Sequence, residues 1–195
     1  IFDNNKDYFD IAKKYQNNDI SCLSILTDEN FFKGSDSDLV GIREIVDIPI
    51  IRKDFIVDSY QLYESKMLGA DCILLILSMI DINLAKDLEA EAMDIGLDVL
   101  IETHNKEEMD NALTMKSELV GINNRNLNDF TVDIDNTISL TGDSVGDKIY
   151  VSESGIKSRT DINYIIDKSP ARTFLVGESL MRSEKLEEQI RTLLS

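Results

Sequence analysis

The sequence predicts an α/β fold of parallel strands, a (β/α)8 TIM barrel forming a single domain over residues 1–195. Three observations carry this expectation. Short apolar, β-branched runs recur at spacings of roughly two to three dozen residues with helical patterns between them, as in βα units. The central runs are apolar throughout rather than alternating, as in strands covered on both faces. Nearly every run ends in residues able to do chemistry: Lys53, Glu102, Asn123 with Arg125, Glu153 with Ser154, and Gly177 with Glu178. An open doubly wound sheet concentrates ligand groups at one switch point, whereas a barrel collects them from many strand ends on its carboxyl-terminal face.

The elements follow in order. Residues 7–15 pattern as a helix with Tyr8, Ile11, Ala12 and Tyr15 along one face. The run Cys22-Leu23-Ser24-Ile25-Leu26 reads as a strand, and a loop with Phe31, Phe32 and Gly34 leads to a helical segment bearing Leu39, Ile42, Ile45 and Val46. Pro49 introduces Ile50-Ile51-Arg52-Lys53-Asp54-Phe55, a buried strand that ends in a cation, an acid and an aromatic. Packing alone asks for no lysine at the mouth of a core strand, although a single lysine there can simply snorkel to solvent.

Ser59 is placed to cap the next helix and Gly69 to close it. After the apolar run from Cys72 through Leu77, the residues Leu84, Leu88 and Ala92 stripe a helix that stops at Gly96. Val99-Leu100-Ile101 ends in Glu102, and a short acidic helix covers 106–115. Leu119-Val120-Gly121-Ile122 ends in Asn123-Asn124-Arg125. Residues 126–146 are polar and acidic, with a weak helical stretch near 137–140. Lys148-Ile149-Tyr150-Val151 runs into Ser152-Glu153-Ser154-Gly155, and a helix near 160–166 precedes the run from Thr173 to Val176. An amphipathic helix with Leu186, Ile190, Leu193 and Leu194 closes the chain.

The net charge of −17 argues against a nucleic-acid partner and against adhesion to an anionic membrane. It also requires that an anionic substrate be held by local cations and backbone N–H groups. Cys22 and Cys72 both fall in apolar runs, which predicts buried free thiols in a reducing cytoplasm. No apolar run has membrane-spanning length, and the first residues carry no signal-peptide pattern. The single histidine, His104, excludes chemistry built on several histidines and reads as a residue behind the site or on the surface. No CxxC or HExxH spacing offers a metal site.

Six motifs follow one another along the chain: Leu23-Ser24-Ile25-Leu26-Thr27-Asp28, Phe31-Phe32-x-Gly34-Ser35, Arg52-Lys53-Asp54-Phe55-Ile56, Gly121-Ile122-Asn123-Asn124-Arg125, Ser152-Glu153-Ser154-Gly155-Ile156 and Val176-Gly177-Glu178-Ser179-Leu180-Met181. In this order they resemble indole-3-glycerol phosphate synthase, a tryptophan-pathway enzyme on a (β/α)8 barrel, over essentially the whole chain. One departure stands out. The family begins with an extra helix and a first strand that carries a second essential lysine and a glutamate, and neither is found here. Seven strands are read where a closed barrel needs eight. Either this chain lacks a segment of the protein, or the barrel is truncated, with the strands from Cys22 and Phe174 as exposed edges.

The resemblance implies closure of an indole ring on 1-(2-carboxyphenylamino)-1-deoxyribulose 5-phosphate, with loss of CO2 and water. It assigns Lys53 as the acid that protonates the carbonyl oxygen and Glu102 as the base of the late dehydration. Read without the family, Glu102 could equally be a solvated strand end. Asn123 and Glu153 are implied as supporting polar groups, Arg125 as a residue that orients the site or pairs with an acid nearby, and Arg52 as structural. Gly155 and the Gly177-Glu178 backbone are expected to hold the phosphate through N–H groups, with Ser154 adding a hydroxyl donor and the Glu178 side chain turned away. Ordinary turn geometry is the plain alternative for these glycines. Phe32, Phe55, Leu74 and Ile76 are candidates for an apolar slot around the aromatic ring, with plain core packing as the alternative. No cofactor and no metal is implied, the only partner is a phosphorylated small molecule, and a monomer is favoured for the intact enzyme. The competing readings are a catalytically inactive fragment of that enzyme, or another phosphate-binding barrel such as phosphoribosylanthranilate isomerase or a ribulose-phosphate epimerase.

Overall fold

A computed structural model of the chain describes residues 7–127, 129–142 and 147–195. Seven strands run parallel in chain order, β1 to β7, with helices between them. A doubly wound sheet reverses its strand order at a switch point, so an unbroken sequential order is the connectivity of a (β/α) barrel. Contacts divide the chain into two compact units. One holds the chain up to Leu75 together with Asp87–Val99, and the other holds Ile76–Lys86 and Leu100–Ser195.

In the first unit, α1 (Tyr8–Asn17) starts at Asp7, whose carboxylate accepts the Phe9 and Asp10 amides. Strand β1 (Leu23–Leu26) pairs in parallel with β2 (Ile50–Lys53), Leu26 standing opposite Lys53. Helix α2 (Asp36–Arg43) lies between them and is capped by the Ser35 hydroxyl. Helix α3 (Tyr60–Leu68) closes on Gly69 at φ +96°, a conformation that favours glycine. Ser59 does not cap it as expected: it is already helical, and the Tyr60 amide is taken by Asp58 Oδ1 at 2.8 Å. Strand β3 (Cys72–Ile76) is buried along its whole length. Cys22 corrects a second expectation, because it precedes β1 and is exposed, while Cys72 is buried in β3.

Helix α4 (Ile82–Asp94) and strand β4 (Asp98–Thr103) have residues in both units. The buried stripe of α4 is Ala85, Leu88 and Ala92; Leu84, expected in that stripe, is exposed. In the second unit, α5 (Lys106–Leu113) is capped by Asn105, and α7 (Arg159–Lys168) begins with a Ser158–Asp161 capping box. Strands β4 and β5 (Leu119–Asn123) pair with Glu102 opposite Gly121, and β5 and β6 (Ile149–Glu153) pair with Asn123 opposite Glu153. Strand β6 in turn pairs with β7 (Thr173–Leu175). Helices α6 (Asp135–Thr141), α8 (Glu178–Met181) and α9 (Leu186–Leu194) complete the unit. Of the polar stretch after Arg125, residues 128 and 143–146 lie outside the described residues.

Two strands run further than their apolar residues. β4 continues through Glu102 to Thr103, and β6 continues through Ser152 to Glu153, all of them buried. The ladder bonds backbone groups whatever the side chain carries, so charge did not end these strands.

Candidate active site

In the first unit β2 presents two cations on opposite faces, since successive strand residues alternate. Arg52 points toward α2 and α3 and is buried. Its guanidinium reaches Thr27 Oγ1 at 2.9 Å, Glu64 at 2.9 Å, Ser65 at 3.1 Å, Asp36 at 3.1 Å and Asp54 at 3.0 Å. This is a structural hub. Lys53 ends the strand half-buried on the other face. Just beyond, Phe55 meets Phe31 edge-on at 5.7 Å and Phe32 at 6.0 Å between ring centroids. Phe31 and Phe32 are both exposed, so this cluster offers aromatic surface to solvent. Leu74 and, in the second unit, Ile76 are buried strand residues.

The second unit holds the acids. Glu102 is only 3% exposed. Its Oε1 accepts the Asn123 side-chain amide at 3.0 Å and lies 3.2 Å from His104 Nε2. The His104 approach is an ion-pair contact rather than an aligned hydrogen bond. His104 Nδ1 sits 3.0 Å from Glu108 Oε2, which also accepts the His104 amide at 2.7 Å. Burial pulls the ring toward its neutral form, but the two carboxylates outweigh it and hold its pKa up at about 9. His104, expected behind the site or on the surface, lies beside Glu102. It stands two residues beyond Glu102, just past the end of β4.

Glu153 is buried at the end of β6, across from Asn123. Gly121, opposite Val151 in the same ladder, has no room for a side chain, since a Cβ there would run into the Glu153 carboxylate. Ser154 and Gly155 follow in consecutive left-handed conformations, φ +63° and +82°, and Asn124 Nδ2 donates to the Ser154 carbonyl at 3.1 Å. A Cβ at Gly155 would crowd Val132, so both conformation and packing call for glycine. Gly177, at the start of α8, has open space where a Cβ would stand. The Glu178 carboxylate is shared by Arg125 at 2.9 Å and Arg182 at 3.0 Å. A separate cavity of about 330 Å³, lined by Asp81, Asn105, Glu107 and Glu108 among others, is acidic and unsuited to a phosphate. Among the described residues no group of three or more His, Cys, Asp or Glu could hold a metal ion, and no helix is long and apolar enough to cross a membrane.

Sequential parallel strands whose carboxyl ends carry acids, amides and a lysine define a (β/α)-barrel enzyme. Solved structures share that fold. The tryptophan synthase A-subunit of Pyrococcus furiosus superposes with a TM-score of 0.73 at 14% identity, over 96% of this chain and 91% of that one. The thiamine phosphate pyrophosphorylase of the same organism gives 0.72 at 13% identity, over 97% and 88%. Sequence carries the likeness further. The profile of indole-3-glycerol phosphate synthase matches residues 1–193. The synthase of Azospirillum brasilense is 46% identical over 185 residues, 95% of this chain and 70% of the relative. That of Polynucleobacter necessarius is 48% identical over 174 residues, 89% of this chain and 65% of the relative. The chain belongs to the indole-3-glycerol phosphate synthase family, carboxy-lyases of tryptophan biosynthesis. It spans about two thirds of the length of these relatives.

Proposed function

We propose that this chain is an N-terminally incomplete catalytic domain of an indole-3-glycerol phosphate synthase, a cytoplasmic enzyme, monomeric when intact, that closes the indole ring of 1-(2-carboxyphenylamino)-1-deoxyribulose 5-phosphate. The Lys53 ammonium donates its proton to the ribulose carbonyl oxygen as the aromatic carbon bonds to that carbon, and CO2 then leaves. In the final dehydration Glu102 accepts the proton lost by the closed ring, while the hydroxyl takes a proton from solvent and leaves as water. Asn123 and Glu153 support these groups and the substrate, and Arg125 orients the Glu178 side. The phosphate takes backbone N–H donors at Ser154-Gly155 and at Gly177-Glu178, where the open space over Gly177 leaves room for an anion at the start of α8. Phe32 and Phe55, with Leu74 and Ile76, receive the aromatic ring.

The observation that carries this reading is Glu102. A carboxylate buried to 3% exposure is expensive unless it is paired, and packing gives no reason to place one in a strand. Here an amide of the next strand and an imidazole hold it ready as a base. The test is turnover by the chain itself, followed by the Glu102→Gln variant. A drop in kcat of at least about 100-fold fits general-base work. An unchanged rate removes Glu102 from the mechanism, and a wild-type chain without turnover favours the inactive-fragment reading.

A further inference from the structure

We propose that His104 is a positioning residue for Glu102, its ring clamped between Glu102 and Glu108 so that the base is held in one orientation and stays ionised between turnovers. This rests on Glu102 being the base of the proposed reaction. The clamp is built from the start of α5. Asn105 Oδ1 accepts the Glu108 amide at 3.0 Å, and Asn105 Nδ2 donates to Glu108 Oε1 at 2.6 Å. The other oxygen, Oε2, takes the His104 amide and faces Nδ1 at 3.0 Å. The ring therefore cannot turn without giving up its Nδ1 contact with an anchored carboxylate. Its far nitrogen is left 3.2 Å from Glu102. A carboxylate stands beside each ring nitrogen, in hydrogen-bond contact at Nδ1 and in ion-pair contact at Nε2, so the charged imidazolium is the form the site favours.

Among the described residues, the charged groups acting on the ring are Glu102 of β4 and Glu108 of α5. From α6, Asn136 Nδ2 approaches the His104 carbonyl at 3.4 Å and the Asn123 carbonyl at 3.0 Å, tying the ring's backbone to the residue whose side chain also holds Glu102. A fixed cation beside a carboxylate favours its charged form. Glu102 thus returns to the basic state after each proton it takes, and its oxygen is steered from two sides.

Because His104 is the only histidine, its ring can be followed by nitrogen-15 NMR without assignment. The ring should stay protonated through pH 8, and it should titrate at lower pH in Glu108→Gln and in Glu102→Gln. A wild-type ring titrating at 6.5, or one indifferent to Glu102→Gln, overturns the clamp. In turnover, His104→Gln should lower kcat about tenfold with KM unchanged, and move the acid limb of the pH–rate profile up by about one pH unit. If Glu102→Gln abolishes turnover while His104→Gln leaves both kcat and the acid limb in place, the positioning role fails alone. If Glu102→Gln keeps full activity, the general-base reading fails and takes the positioning role with it. Glu108→Gln leaves the Asn123 bond to Glu102 intact and should reproduce the shift in the acid limb more weakly. Its failure to do so counts against the clamp even if His104→Gln does not fold.

Discussion

Arg52 Nη2 lies 3.0 Å from Asp54 Oδ2, and the same oxygen accepts the Thr27 hydroxyl at 2.6 Å. One buried guanidinium thereby ties the end of β1, the residue after β2 and both flanking helices to one another. The backbone that carries Lys53 is fixed from behind, and the tie uses no group on the lysine's own face.

Replacing Arg52 by Met should therefore cost about 3–5 kcal/mol of stability, since Asp36, Asp54 and Glu64 would lose their shared cation. Urea unfolding monitored by circular dichroism reads this directly. A loss under about 1 kcal/mol would mean that solvent already screens these acids.

Lys53→Ala should lower kcat by at least about 100-fold while leaving binding of a phosphate analogue near its wild-type level. Calorimetry on the variant separates the two. Loss of both would assign Lys53 to folding.

Two glycines make a matched pair. Gly121→Ala forces a methyl into the Glu153 carboxylate and should destabilise the chain by about 1–3 kcal/mol in a thermal melt. Gly177→Ala meets open space at φ −114°, so its stability should stay within about 0.5 kcal/mol of wild type. Its KM for the phosphorylated substrate should instead rise about tenfold, the worth of one hydrogen bond to a charged group. An unchanged KM would remove this backbone from the phosphate site.

The His104 pKa of about 9 makes a statement about stability. The folded value lies above the ordinary 6.5, so the contribution is fully present below pH 6.5 and fades as the pH rises through about 9. Urea midpoints at pH 6, 8 and 10 should fall for the wild type by more than for His104→Gln. Equal slopes would place the ring outside any charge pair.

The strand succession was legible, because buried parallel strands announce themselves as continuous β-branched runs. What misled was treating the first charged residue as the end of a strand. Glu102 lies inside β4, which continues to Thr103, and Glu153 is itself the last ladder residue of β6. The same logic hid the exposure of Cys22, which belongs to the apolar run but precedes the first ladder residue. Ser59 failed as a cap because Asp58, one residue earlier, reaches the orphan amide first. The clamp on His104 depends on how Glu108 is anchored by Asn105, a three-residue coupling that no periodicity reveals.

Ser154 holds a left-handed backbone without being glycine, at a cost of about 1–2 kcal/mol that the Asn124 contact to its carbonyl offsets in part. Anyone seeking a hardier protein would be drawn to Ser154→Gly, which relieves the backbone at once. The gain in melting temperature would come with a looser chain at the turn beside Glu153, so robustness and turnover compete there for a single side chain.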